Sequence, residues 1–134
     1  MRARRRSARV EYALPEDEES ARWARRLITT FLTTPRTPTV AQNQVDEARL
    51  IVSELVTNAI RHAHSSCRMR LQLKRGRLTV EVHDDSPRLP RLIPLSTAGE
   101  SGRGLAMVRL LASRFVVTVD HRGGKTVRAV LAAC

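Results

Sequence analysis

The chain is short of cysteine, aromatic rings, lysine and long apolar runs, and each shortage closes off a class of protein. Its two cysteines, Cys67 and Cys134, lie far apart. They are too few for a disulfide-stapled scaffold and lack the paired spacing of a zinc site. A reducing, cytoplasmic setting is therefore expected. Aromatic residues make up 3% of the chain, which argues against a single-strand nucleic-acid binder built on stacking platforms. No stretch approaches the roughly 20 apolar residues that span a bilayer. The opening "MRARRRSARV" carries no apolar segment of the secretory kind. No membrane partner is expected. Only Lys74 and Lys125 are lysines, and every other basic side chain apart from histidine is arginine.

The arginines give a formal charge of +11 over 134 residues. A basic chain can bind nucleic acid or acidic partners. A composition rich in Arg and Ala also follows from a GC-rich bacterial genome, without functional cause. Nucleic-acid binding rests on charge alone and is disfavoured; salt-dependent retention on bulk DNA would detect it. The length suits one domain with a real core. Residues 1–7 read as a disordered basic tail and 8–134 as a single domain.

Periodicity supplies the elements. "RVEYAL" alternates as a short strand. Pro15 to Glu19 reads as a helix start, with acids at the positive end of the dipole. Ala21, Trp23, Ala24, Leu27, Ile28, Phe31 and Leu32 form the apolar stripe that follows. Pro35 and Pro38 make a loop. A second helix is expected from about Val45 to Ala63 or His64. "CRMRLQLKRGRLTVEVHDD" reads as two strands around a tight turn at Arg75-Gly76. "SPRLPRLIPLSTAGES" is irregular, "GRGLAMVRLLASR" opens a third helix, and a second hairpin turns at Arg122-Gly123-Gly124. The expected class is α+β: a two-layer sandwich, three helices on one face of a mixed, mainly antiparallel sheet.

Three places carry chemistry. In "SELVTNAIRHA", Glu54, Asn58 and His62 fall at i, i+4 and i+8, a row along the edge of a broad apolar face. Such a row lines a cleft, or simply meets water at a helix edge. In "VEVHDDSP", period two puts Asp84 on the face of Val80 and Val82. An inward Asp needs a hydrogen-bond partner, which a ligand amine would supply; the plainer reading is a turn cap before Ser86-Pro87. In "ESGRGLAMV", Gly102 and Gly104 precede an apolar helical run. Backbone N–H groups there can approach an anion, though glycines also simply punctuate loops.

The order of these pieces resembles the GHKL ATPase superfamily, which includes DNA gyrase B, the MutL proteins, the large heat-shock chaperone and the histidine kinases. "SELVTNAIRHA" is similar to its N box, "VHDDSP" to its first glycine box, "GRGLAMV" to its second and "GGKTV" to its closing strand. The resemblance runs from about Val45 to Leu131 and implies the Bergerat, or histidine-kinase-like, fold. The compact form resembles the stand-alone anti-sigma factor serine/threonine kinases of the RsbW type and the short ATP-binding regulators of actinobacteria. It implies ATP and Mg²⁺ as cofactors, with Asn58 as the metal ligand and Glu54 as general base. It also implies that Asp84 accepts from the adenine amine, with Asp85 as the rival. Gly102, Arg103 and Gly104 would wrap the phosphates, and Thr126 would join the water network around adenine. His62 would flank the site or be structural. The sequence departs from the pattern after Asp84, where Asp85, Ser86, Pro87 and Arg88 include no glycine.

Two classes of function follow. The first is a Ser/Thr kinase that binds a sigma factor or phosphorylates an anti-anti-sigma-like antagonist, with Mg²⁺ and positioning doing most of the work. The second is a non-catalytic module that uses a nucleotide to set partner affinity. Glu54 favours the first, and the missing glycines favour the second. A sensor histidine kinase is disfavoured, because no dimerisation helix pair with a phospho-accepting His precedes the domain. The oligomeric state, a homodimer included, is left open.

Overall fold

Alternation of apolar and polar residues builds the sheet. In the computed structural model, which describes residues 7–34, 40–86 and 103–132, five strands form it. They are β1 (Ser7–Leu14), β2 (Cys67–Lys74), β3 (Arg77–Asp84), β4 (Arg114–Val119) and β5 (Lys125–Ala132). Their spatial order is β1-β2-β3-β5-β4, and all four pairings are antiparallel. The mainly antiparallel sheet read from the sequence thus has no parallel pair among the described strands. Ser7, placed in the basic tail on sequence grounds, opens β1 and pairs with Lys74; residues 1–6 lie outside the described part.

Register puts like with like. On the inner face, Met69, Val82 and Val127 are neighbours, as are Leu71, Val80 and Ala129. All six are buried. The outer face carries the charge. There Glu11, Arg70, Glu81 and Arg128 sit opposite one another across four strands, with alternating sign. Arg70 reaches Glu11 at 3.0 Å and Glu81 at 3.6 Å, and Arg128 reaches Glu81 at 3.9 Å. Such partly exposed pairs add little stability, but a slip of one residue would turn them inward, so they help fix register. The β2–β3 turn has positive φ at both central residues, 49° at Arg75 and 72° at Gly76. That is the type I′ geometry whose twist matches a hairpin.

Three helices complete the fold: α1 (Ser20–Thr33), α2 (Gln42–Thr57) and α3 (Arg103–Leu111). They are layered on the inner face, α2 and α3 packing on the sheet and α1 packing on α2. Helix α1 starts later than the acidic run suggested. Asp17 instead caps a turn by accepting from the Glu19 N–H at 2.7 Å, and Ser20, fully buried, donates to Pro15 O. Its inner stripe is Ala24, Ile28, Phe31 and Leu32. Trp23 does not belong to it: the ring is 52% exposed, with the Arg26 guanidinium 5.6 Å from its centroid. At 100° per residue, position 23 sits at the flank of the stripe, where a large ring is not forced inward.

Helix α2 begins three residues before the expected Val45. Gln44 makes the earlier start possible, because its side-chain oxygen accepts from the Ala41 N–H at 2.9 Å. Its other end changes winding. Asn58–His62 is a π-helical turn, with the Ala63 N–H donating to Asn58 O at 3.2 Å. Wider turns of this kind occur as single insertions, frequently at functional sites.

Candidate functional site

Glu54 and Asn58 lie one turn apart at the end of α2, where the π turn meets β3. Leu55, Val56, Ala59 and Ile60 bury the adjoining face. Asn58 is itself only 6% exposed. Neither Glu54 nor Asn58 makes a side-chain hydrogen bond among the described residues, yet no fully enclosed polar atom goes unpaired. The Asn58 amide therefore keeps a narrow opening to the surface. Half-burial pushes the Glu54 carboxyl above its usual range, while the charges of Arg61 and Arg25 pull the other way. Both arginines are held: Arg25 donates to Ser53 Oγ at 2.8 Å, and Arg61 pairs with Glu18 at 2.9 Å.

The third position of the expected row, His62, falls inside the π turn. The row's spacing assumed α-helical winding, and the π turn adds a residue to that turn. The side chain of His62 lies outside the described part.

Asp84 ends β3 on the inner face and is 2% exposed, whereas Asp85 is exposed. Strand alternation separates the two carboxylates as expected. The partner of Asp84 was not expected. Lys125 Nζ lies 2.9 Å from both carboxylate oxygens, and Lys125 is 1% exposed. The Ser86 N–H donates to Asp84 Oδ1 at 2.9 Å, and the same ammonium reaches Ser86 O at 3.4 Å. Lys125 is the residue that sequence reasoning missed. The signal was present, since Val127, Ala129 and Leu131 point inward and period two puts Lys125 with them.

The same alternation corrects Thr126. It stands opposite His83 and Thr118, on the face away from Asp84, so it does not share the surroundings of that carboxylate. Cys67 completes the inner row beside Asp84. Burial, reinforced by the Asp84 charge, pushes its thiol up to about 12, which makes it inert.

Gly124 has a steric reason. A Cβ there would lie 2.8 Å from Asp84 O, 3.0 Å from Asp120 Oδ2 and 3.1 Å from His83 Nε2. The last two atoms form a 3.0 Å contact of their own. Arg103 and Gly104 open α3, so their backbone belongs to its first turn, where N–H groups lack helical partners. Gly102 and residues 87–101 before it lie outside the described residues. A groove of about 470 Å³ opens at the same end of the sheet, lined in part by Leu14, Cys67, Arg68, His83 and Asp85. None of Glu54, Asn58 and Asp84 borders it. Among the described residues no cluster of three His, Cys, Asp or Glu could hold a metal, and no helix is long and apolar enough to cross a membrane.

Comparison with protein families matches residues 14–131 to the histidine kinase-like ATPase domain. The chain belongs to that family. No curated protein matches it. Among solved structures, it is similar to the RsbU and RsbW domains of Rv1364c from Mycobacterium tuberculosis, with a TM-score of 0.69 and 19% identity. The match covers 92% of this chain and 31% of that one, so the chain spans about a third of the neighbour's length. At that identity the likeness is one of fold. The family's α+β architecture is the one described above, and within it the two groups of candidate residues differ. Glu54 and Asn58 make no side-chain hydrogen bond among the described residues, and Glu54 feels only the charges of Arg61 and Arg25. Asp84 is satisfied by the chain itself.

Proposed function

We propose that this domain is an ATP-binding regulator that works as a serine/threonine kinase on a small antagonist protein, in the manner of anti-sigma factor kinases. The observation that carries the reading is Asn58, nearly buried and with no side-chain hydrogen bond among the described residues, one turn from a half-buried carboxylate. A core asparagine would be paired. An asparagine that offers a neutral oxygen beside a carboxylate suits a hard cation carrying phosphate oxygens.

Bound Mg·ATP would supply the transferable phosphoryl group. Asn58 would hold the metal. The first turn of α3, through the backbone at Arg103 and Gly104 and at Gly102 before it, would hold phosphate. Glu54 would take the hydroxyl proton of the acceptor Ser or Thr. A carboxylate raised by burial is a better base than one in water. The partner would be a sigma factor or an anti-anti-sigma-like protein, with the reaction in the cytoplasm. Asp84, already paired with Lys125, does not fit the role of adenine acceptor, and no step is assigned to it.

A second reading has its own support. That internal pairing and the glycine-free "DDSPR" both suit a module that senses a nucleotide without turning it over.

Thermal shift and calorimetry with millimolar Mg·ATP and Mg·ADP test the common ground. A ligand at a hundredfold its Kd stabilises the fold by about 2.7 kcal/mol, and a clear rise in Tm is expected. Asn58→Ala should abolish the Mg²⁺-dependent part of that rise. No shift and no heat with either nucleotide would reject the proposal.

A further inference from the structure

We propose that Lys125 takes the place of base recognition, so that the site accepts nucleoside triphosphates by their phosphate end without selecting adenine. This rests on the nucleotide reading above and widens its ligand from ATP to nucleoside triphosphates. Choice of adenine would need an accessible lone pair on Asp84, which is 2% exposed. Both oxygens already accept from Lys125 Nζ at 2.9 Å, and Oδ1 also accepts from the Ser86 N–H.

The competition is uneven. An ammonium is a stronger donor to a carboxylate than a neutral base amine. Lys125 is also tethered to the strand beside Asp84, so it binds at high effective concentration. The pair is sealed, 2% and 1% exposed. An incoming amine would have to strand a desolvated cation with only the 3.4 Å contact to Ser86 O in compensation. The remaining inner-row neighbours offer nothing in exchange. Cys67 is a protonated thiol and Leu14 is apolar. At the other end, Glu54 and Asn58 have no side-chain hydrogen bonds among the described residues. A ligand gains there and not at Asp84.

The test is displacement of a fluorescent ATP analogue from the intact chain in Mg²⁺ by ATP, GTP and CTP. Wild type should rank the three within about threefold, a difference smaller than one good hydrogen bond gives. Lys125→Thr frees the Asp84 oxygens and should prefer ATP over GTP by about tenfold or more. A wild type that already prefers ATP by more than tenfold would overturn the proposal and leave the nucleotide reading intact. So would a folded Lys125→Thr that remains indifferent. If the probe binds neither protein, the nucleotide reading itself fails and this proposal with it. Should Lys125→Thr not fold, the wild-type ranking decides alone.

Discussion

Asp84→Asn loses about 3–5 kcal/mol of folding stability, the usual cost of removing one partner from a buried ion pair. The substitution is nearly isosteric, so the loss comes from charge. Lys125, 1% exposed, would be left with a neutral amide whose NH₂ repels it. For a urea slope near 2 kcal/mol/M, the midpoint should fall on the order of 2 M. Typical domains hold only 5–15 kcal/mol in total, so this is a large fraction. Asp85→Asn, at an exposed position, should stay within about 0.5 kcal/mol of wild type. The double variant Asp84→Leu with Lys125→Met should recover most of the loss, because neither charge then needs a partner. A single Asp84→Asn variant that melts with wild type would show that the pair contributes nothing.

Glu54→Gln separates catalysis from folding. Phosphoryl transfer to the antagonist should fall by about 10²–10⁴-fold, the range for a general base, with Mg·ATP affinity nearly unchanged. Radiolabelled ATP with small single-domain antagonists is the assay, and equal labelling by wild type and variant would remove Glu54 from the chemistry. Stability should move the other way. Burial raises the Glu54 carboxyl above its ordinary 4.5, so the folded state holds this proton more tightly than the unfolded one. Its ionisation therefore weakens the fold as pH rises from about 4.5 through the folded value. Above that window Glu54→Gln should melt slightly higher than wild type, and below it the two should coincide. The gap is small because the side chain is partly exposed. A variant that melts lower at neutral pH would mean the carboxylate is stabilising.

These two residues also mark how much of the molecule the sequence discloses. Strand alternation placed Asp84 inward and both hairpins at their turns, because a one-residue slip would expose a whole apolar row. The order of helices and strands followed from the same periods. Two kinds of feature were less legible. The π turn at Asn58 changes a period in mid-helix, and no residue type announces it. The partner of Asp84 required applying alternation to β5 as well. A family motif led past Lys125 to Thr126, although Val127, Ala129 and Leu131 indicate which face Lys125 occupies. A lysine is rarely fully buried without a partner, so composition suggested nothing there. Trp23 failed for the opposite reason: a large ring at the flank of an apolar stripe can lie out against Arg26.

The burial of Lys125 gives the chain its own chemical reporter. There are only two lysine side chains, Lys74 exposed at the end of β2 and Lys125 sealed at the start of β5. An amine-reactive ester acylates neutral, accessible amines. It should modify Lys74 at once and Lys125 only in molecules whose β3–β5 end has opened. The ratio of the two adducts, read by mass spectrometry of proteolytic peptides, then measures the opening of that end separately from global unfolding.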